Sequence, residues 1–282
     1  MALEKQYALV TGGTSGIGYE LAKLLARDQF NLIIVARDES ELMRVADEFE
    51  ETYHIEVITI ARDLFDPENA FRLYDEVEDL GVKVEILIND AGQGQYGEFK
   101  DTDIRRELNI INLNISSLVV LTKLYLKEMV IRGHGRIMNL SSVASKAPGP
   151  WHSVYHGTKA FVQSFTEAIR SEVKDTGVTI TALLPGATDT DFFNKADMKD
   201  SKVVKEEKLY DPAEVAEDGY RALMEGDDMV VSGFKNKVQV AMSNVTPDSL
   251  LADQMKKKQA PSKKKRPSKK RLISKKSKSG KS

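Results

Sequence analysis

The chain has 282 residues, 41% of them hydrophobic and none of them cysteine; it can hold one large domain or two small ones around a sizeable core, and disulfides, thiolate zinc sites and thiol catalysis are excluded together. No apolar run reaches about 18 residues, so no transmembrane helix is expected, and the amino end lacks the pattern of a secretory signal, in keeping with a cytoplasmic protein. The net charge of −2 conceals a division: residues 256–282 carry fourteen Lys and Arg and no acid, leaving 27 basic against 43 acidic residues before them, about −16 for the body and +14 for the tail.

Residues 4–10 form a short apolar run before TGGTSGIG at 11–18, and the following YELAKLLARDQF repeats its apolar residues at helical spacing. This reads as strand, glycine turn, helix. FNLIIVAR (30–37) suits a strand buried on both faces, and a polar helix follows over about 39–53. HIEVITIAR (54–62) is a third strand, Pro67 opens a helix to about Leu80, and VEILIND (84–90) is a fourth strand. A helical region over about 101–132 is expected as two helices, because Asn109, Asn112 and Asn114 make its middle polar. HGRIMNLSS (134–142) supplies a fifth strand, Tyr155 to Lys174 a helix, and VTITALLPG (178–186) a sixth strand that stops at Pro185. Residues 187–209 lose periodicity, as a mobile flap would. Asp211 then caps a helix with Pro212 at its first position, DDMVVSG is an edge strand, and a last helix runs to about Met255. Strands alternate with helices without hairpin signals, so the expected fold is α/β: a doubly wound parallel sheet of about seven strands with helices on both faces, in a single domain over 1–255. The remainder, 256–282, is too poor in apolar residues to order itself and is expected to be a disordered tail.

Two stretches carry chemistry. In the glycine turn, Gly12, Gly16 and Gly18 let the backbone approach a pyrophosphate at a helix start, where free amides and the dipole favour negative charge. In SSVASKAPGPWHSVYHGTK (141–159), Tyr155 and Lys159 are four apart, which places both on one helix face roughly 6 Å apart at Cβ. A phenol titrates near ~10 and is a poor proton shuttle at neutral pH unless a fixed positive charge favours its anion. Ser142 lies upstream across a Pro-Gly-Pro loop that can fold its hydroxyl back to the phenol, with Ser141 as its neighbouring competitor. At the end of the second strand stand Ala36 and Arg37, where an acid would bind a ribose 2′-hydroxyl and an Arg accommodates a 2′-phosphate. NADP(H) is therefore favoured and NAD(H) is not excluded; Asp38 reads as a helix cap or as a ribose ligand. No His/Asp/Glu cluster has metal-ligand spacing, so no catalytic metal is expected.

With these residues in place, the chain resembles the short-chain dehydrogenase/reductase family in its single-domain form, over Tyr7 to about Gly233. The carriers are TGGTSGIG, Asp63-Leu64, NDAG at 89–92, Asn114, Ser142, YHGTK at 155–159 and PGATDT at 185–190. The resemblance implies an oxidoreductase that moves a hydride between nicotinamide C4 and a carbonyl or alcohol. Tyr155 would be general acid and base, Lys159 would lower its pKa and bind the nicotinamide ribose, and Ser142 would hold the substrate oxygen. Asn114, rather than Asn112, would hold a water that connects Lys159 to solvent. Thr14, Ser15 and Ile17 would join the three turn glycines at the dinucleotide, with Asp63 and Leu64 at the adenine and Asn89, Ala91 and Gly92 beside the cofactor. Pro185 and Gly186 would follow along it, and Thr188 or Thr190 would hold the carboxamide. The usual NNAG reads NDAG here, with Asp90 in place of the second Asn, which bears on sheet hydrogen bonding or cofactor affinity. The family also implies a homodimer or homotetramer.

Trp151, Gln93, Gln95, Tyr96, Phe192 and Phe193 should cluster at the carboxyl ends of the strands and suit a partly apolar small-molecule carbonyl or alcohol. His152 and His156 line that pocket or lie exposed. The basic tail suits a polyanion, either nucleic acid or an anionic surface, by counterion release or surface attraction. A rival reading is a non-catalytic NADP(H)-binding sensor that acts through the tail; a complete proton relay speaks against it. An epimerase or dehydratase would need a larger substrate domain than the segment after Gly186 provides.

Overall fold

The computed structural model describes residues 6–243 and 245–262. Seven parallel strands form one sheet in the order β3-β2-β1-β4-β5-β6-β7. They are β1 (Tyr7–Thr11), β2 (Asn31–Ala36), β3 (Val57–Ala61), β4 (Val84–Asn89), β5 (Gly135–Leu140), β6 (Val178–Leu184) and β7 (Met229–Val231). The order reverses between β1 and β4, so the loops after those strands diverge and leave a crevice at the carboxyl edge. The helices are α1 (Gly16–Arg27), α2 (Glu39–Tyr53), α3 (Glu68–Asp79), α4 (Ile104–Ile111), α5 (Leu118–Arg132), α6 (Ser153–Val173), α7 (Phe192–Lys195), α8 (Lys202–Glu206), α9 (Pro212–Glu225), α10 (Phe234–Ser243) and α11 (Asp248–Gln259).

Strand side chains alternate between two cores, as period-2 geometry requires. Ala8, Val10 and Ile34 face Leu21, Leu25, Val45, Phe49 and Leu223 of α1, α2 and α9. Tyr7, Leu9 and Ile33 face Leu73, Val77, Leu121, Tyr125 and Met129 of α3 and α5. Each fully buried Leu, Ile or Phe contributes roughly 1.5–3 kcal/mol, so both faces of the sheet are closed by substantial burial. The caps follow the sequence: the Asp38 carboxylate accepts from the Ser40 and Glu41 amides at the start of α2, and Asp211 caps α9 ahead of Pro212.

Four expectations change in detail. The 101–132 region is one continuous helix, because a π segment, Asn112–Ser117, joins α4 to α5 without a break. By length and composition this helix, Ile104–Arg132, is apolar enough to cross a membrane. Here its Leu113, Leu121, Tyr125 and Met129 are instead packed on the sheet. The flap holds α7 and α8, and its first residues pair with the stretch before α9 through Thr188 and Tyr210. The helix at Tyr155 starts two residues earlier, at Ser153. Beyond Met255, α11 continues to Gln259 and residues 260–262 bond back to the flap, with Lys202 N–H donating to Ala260 O and Ser262 N–H to Asp200 O. The folded body therefore passes the expected boundary; the expectation for residues 263–282 lies outside the described residues.

Candidate active site

β1 ends in Thr11 and the turn to α1 follows at once. Gly12 and Gly16 take φ of 76° and 59°, a left-handed backbone that side chains disfavour. Ser15 caps α1 in extended conformation, makes no side-chain cap bond, and no acid lies in the helix's first turn. The amides of Gly16 and Ile17 are thus left at the positive end of the helix dipole, the environment a pyrophosphate requires. Thr11 adds a contact that sequence reading missed. Its hydroxyl accepts from the amides of Asp90 and Ala91 at 3.2 and 3.1 Å, which fixes the loop after β4 against the glycine turn.

A pocket of about 280 Å³ opens between the ends of β1, β2 and β3, and Thr14, Ser15, Arg37, Asp63, Leu64, Ala91 and Gly92 line it. Arg37 spreads its guanidinium over the Phe65 ring at 5.1 Å. The Asp38 carboxylate is held by Ser40 N–H at 3.0 Å, Ser40 Oγ at 2.6 Å and Glu41 N–H at 3.3 Å. Between the two readings of Asp38, this geometry takes the cap. Asn89 lines neither this pocket nor the larger one. Its side chain is buried and donates to Thr122 Oγ1 and Asn139 Oδ1 at 3.0 and 2.9 Å, so it ties β4 to β5 and α5 and positions the loop that follows.

The larger cleft, about 1440 Å³, shares Gly12, Ser15 and Gly92 with the pocket and continues past Gly16, Ile17, Pro185, Gly186, Thr188 and Thr190. Ser142, Tyr155 and Lys159 form its inner wall. Ser142 follows β5 by two residues and caps a 3₁₀ turn, Val143–Lys146, so its Oγ accepts from Ala144 N–H at 3.1 Å and lies beside the Tyr155 phenol, whose anion it favours. Ser141 points elsewhere, donating to Lys159 O at 2.9 Å, which leaves Ser142 as the hydroxyl at the phenol. Lys159 Nζ sits 5.8 Å from the Tyr155 ring centroid and donates to Leu140 O at 2.6 Å. Asn114 lies in the π segment, a distortion that recurs at functional sites. Its amide bridges Gln93 N–H, Gln93 O and Thr158 Oγ1. A Cβ on Gly92 would lie 3.4 Å from Asn114 Oδ1 and 3.5 Å from Lys159 Nζ, so both groups converge over that glycine.

Burial dominates the electrostatics. It pushes the Tyr155 phenol up to about 12; the Ser142 hydrogen bond opposes the rise and the Asp90 carboxylate adds to it. The expected lowering by Lys159 does not prevail. Burial disfavours that ammonium too and pushes it down to about 8, against the pull of Asp90. Asp90 itself is pushed up by burial to about 7, opposed by Lys159 and by a hydrogen bond from the Gly18 N–H. The acid that replaces the family's Asn therefore takes one amide of the α1 start and sits at the helix's positive end.

On the substrate side, Phe192 and Phe193 line the cleft, Phe192 5.0 Å from the Tyr155 ring and 5.7 Å from Phe193, whereas Tyr96 and Trp151 stack on each other at 6.0 Å outside the lining. Both histidines are buried rather than exposed. His152 stacks on Tyr155 at 4.4 Å, and burial together with His156 pushes its pKa down to about 3, so it is neutral. His156 Nδ1–H donates to Ala147 O at 2.8 Å, which leaves Nε2 to accept from the Gln259 amide at 2.8 Å. Gln259 also accepts from Tyr96 Oη through its carbonyl and closes the cleft from the carboxyl-terminal side. No local pattern pointed to it, because its partners lie 103 and 163 residues away.

The family model described as short chain dehydrogenase matches residues 6–201 of this chain. The chain belongs to the short-chain dehydrogenase family. This short-chain dehydrogenase is 33% identical over 189 residues to the very-long-chain 3-oxoacyl-CoA reductase of Rattus norvegicus, a match covering 64% of this chain and 58% of the relative. It is 32% identical over 178 residues to the ketoacyl reductase HetN of a Nostoc species, covering 63% and 62%. The chain thus spans less than two thirds of the length of these curated relatives. A solved short-chain dehydrogenase from Sphingobium yanoikuyae in complex with NADPH shares 26% identity and superposes with a TM-score of 0.76, covering 86% of this chain and 96% of that one.

Proposed function

We propose that this short-chain dehydrogenase is an NADP(H)-preferring carbonyl reductase and alcohol dehydrogenase, with Tyr155 as its general acid and base. The observation that carries the reading is the convergence of Ser142, Tyr155 and Lys159 on one wall of the cleft, continuous with the glycine turn, with Asn114 and Lys159 meeting over Gly92. The residues present fit a dinucleotide: the uncapped α1 start would take the pyrophosphate, Asp63 and Leu64 would border the adenine, and Arg37 would take the 2′-phosphate. Thr188 or Thr190 would hold the carboxamide. When bound, the dinucleotide supplies or accepts the hydride at the substrate carbon.

In reduction, Ser142 Oγ–H and Tyr155 Oη–H both donate to the substrate's carbonyl oxygen, which polarises the carbonyl and fixes its angle. As the oxygen gains charge, the Tyr155 proton passes to it and the product is the alcohol. Lys159, whose ammonium burial brings down to about 8, stabilises the resulting phenolate and returns the proton. Asn114, locked by Gln93 and Thr158, holds the groups that connect Lys159 to solvent. In alcohol oxidation the same proton runs the other way.

Phe192 and Phe193 in the cleft lining favour an apolar substrate body, and the names of the curated relatives make 3-oxoacyl thioesters the first class to assay, beside bulky ketones. Assembly into a homodimer or homotetramer accords with the family. The test is NADPH and NADH oxidation by the purified chain across such carbonyls, with Tyr155→Phe beside it. Turnover that prefers NADPH and falls roughly 10²–10⁴-fold in the variant is the expected result. A variant that keeps its rate overturns the role of Tyr155, and a preference for NADH overturns that of Arg37.

A further inference from the structure

Helix α10 is turned partly inside out. Asn236 and Val240 are buried, whereas Val238 and Met242 are 43% and 62% exposed one turn apart, and Val245 just beyond is 84% exposed. With Phe234 at the head of the same stripe, 80% exposed, this is an apolar face that no described residue covers. A helix face of this kind normally faces a core. Lys235 and Lys237 flank it, and residues 229–247 contain no acid. The basic end of α11 lies alongside, Lys258 Nζ meeting Gln239 Oε1 at 3.4 Å, so the run of fourteen Lys and Arg in 256–282 starts next to the stripe.

We propose that this face, together with the basic carboxyl-terminal run, docks the protein on an anionic lipid bilayer surface. An apolar helix stripe edged by lysines sinks into the boundary between headgroups and acyl chains, and neighbouring cations add about 1 kcal/mol each near anionic headgroups. Either signal alone holds weakly; the two together anchor. The charge pattern selects this occupant over the others. A second copy packed face to face would set Lys235, Lys237 and the basic runs of both chains against each other. A nucleic acid would satisfy the lysines but leave Val238, Met242 and Val245 in water, and residues 256–282 contain no aromatic side chain to stack on bases. Docking on this face brings the large cleft to the membrane, because Asn236 and Gln239 of the same helix line it.

The test is co-sedimentation of the full chain with sucrose-loaded vesicles of phosphatidylcholine, with and without 30 mol% phosphatidylglycerol, for the parent chain and for Met242→Ser combined with Val245→Ser. Both residues are solvent-exposed and neither lines the cleft, and melting by circular dichroism verifies that the variant folds. The parent is expected to partition at least ~10-fold more strongly to the anionic vesicles, to lose that binding at high salt, and to bind roughly tenfold more weakly as the double variant. Three results overturn the proposal. One is vesicle binding unchanged in the variant, which assigns the attachment to charge alone. Another is a dimer in sedimentation velocity that the variant abolishes, which assigns the face to a second copy. The last is absence of vesicle binding alongside salt-sensitive retention of duplex DNA, which assigns the basic run to nucleic acid.

Discussion

Arg37→Ala separates the two cofactors. Arg37 follows β2, exposed, with its guanidinium on the Phe65 ring at 5.1 Å, in the pocket where Thr14, Ser15 and Asp63 converge. A hydrogen bond to a charged group is worth about 1.5–3 kcal/mol, and the exposure of Arg37 places it in the lower half of that range, about 1.5–2 kcal/mol. The Kd for NADPH should then rise by ~10- to 30-fold. NADH carries no 2′-phosphate. It loses only the support that the stacked guanidinium gives the pocket, at most about 1 kcal/mol or ~5-fold. Asp38 does not compensate by binding the ribose diol, because its carboxylate is already held by Ser40 and Glu41, which also lower its pKa. Fluorescence titration of the full chain with each dinucleotide reads the two constants directly. Equal weakening of both cofactors would refute the reasoning, since Arg37 would then act only as a brace for Phe65; an unchanged NADPH constant would remove it from the site.

Asp90→Asn should tighten dinucleotide binding by ~2- to 5-fold at pH 8, the scale of one charge at a helix start. The sign follows from a carboxylate raised to about 7: it is ionised and repels phosphate above that pH, and neutral below it, so the gain should vanish by pH 5.5. Titrations at both pH values check this, and a gain that persists at the acid value would sink it. Gly149→Ala should destabilise the protein by ~1–3 kcal/mol, because its Cβ would come within 2.1 Å of the His156 ring, which is bonded at both nitrogens and has no room to retreat. Thermal melting several degrees below the parent is the expected result, and an unchanged midpoint would show that the Pro-Gly-Pro loop yields freely.

The parts of the fold that were readable from sequence rest on short-range rules. Strand and helix alternate because apolar periodicity alternates, and the glycine turn is legible because it lies between a strand and a helix. Tyr155 and Lys159 share a face because four residues make about one turn. What escaped depends on distance. The π segment at Asn114 has no signature in propensity, since its polar residues face the inside of a continuous helix. Asn89 looked like a cofactor neighbour because it stands in NDAG, yet alternation along β4 turns it toward Asn139 and Thr122. Burial, of which sequence carries no measure, is the largest influence on the Tyr155 phenol and raises it. The exposed stripe of α10 was invisible because its spacing is that of an ordinary core helix.

The bond between Gln259 and His156 sets an order of assembly. The glycine turn and the Arg37 pocket draw mainly on β1 to β4, whose partners emerge early in synthesis. The substrate side waits for later residues: Gln259 must return across 103 residues to α6 and across 163 to Tyr96, while Ala260 and Ser262 secure the flap. Chains fold from the amino end as they are made, and such non-local closures come late. A nascent chain stalled before Gln259 emerges would therefore present the glycine turn and its pocket before it has an enclosed cleft, which would close only once Gln259 is free to reach His156.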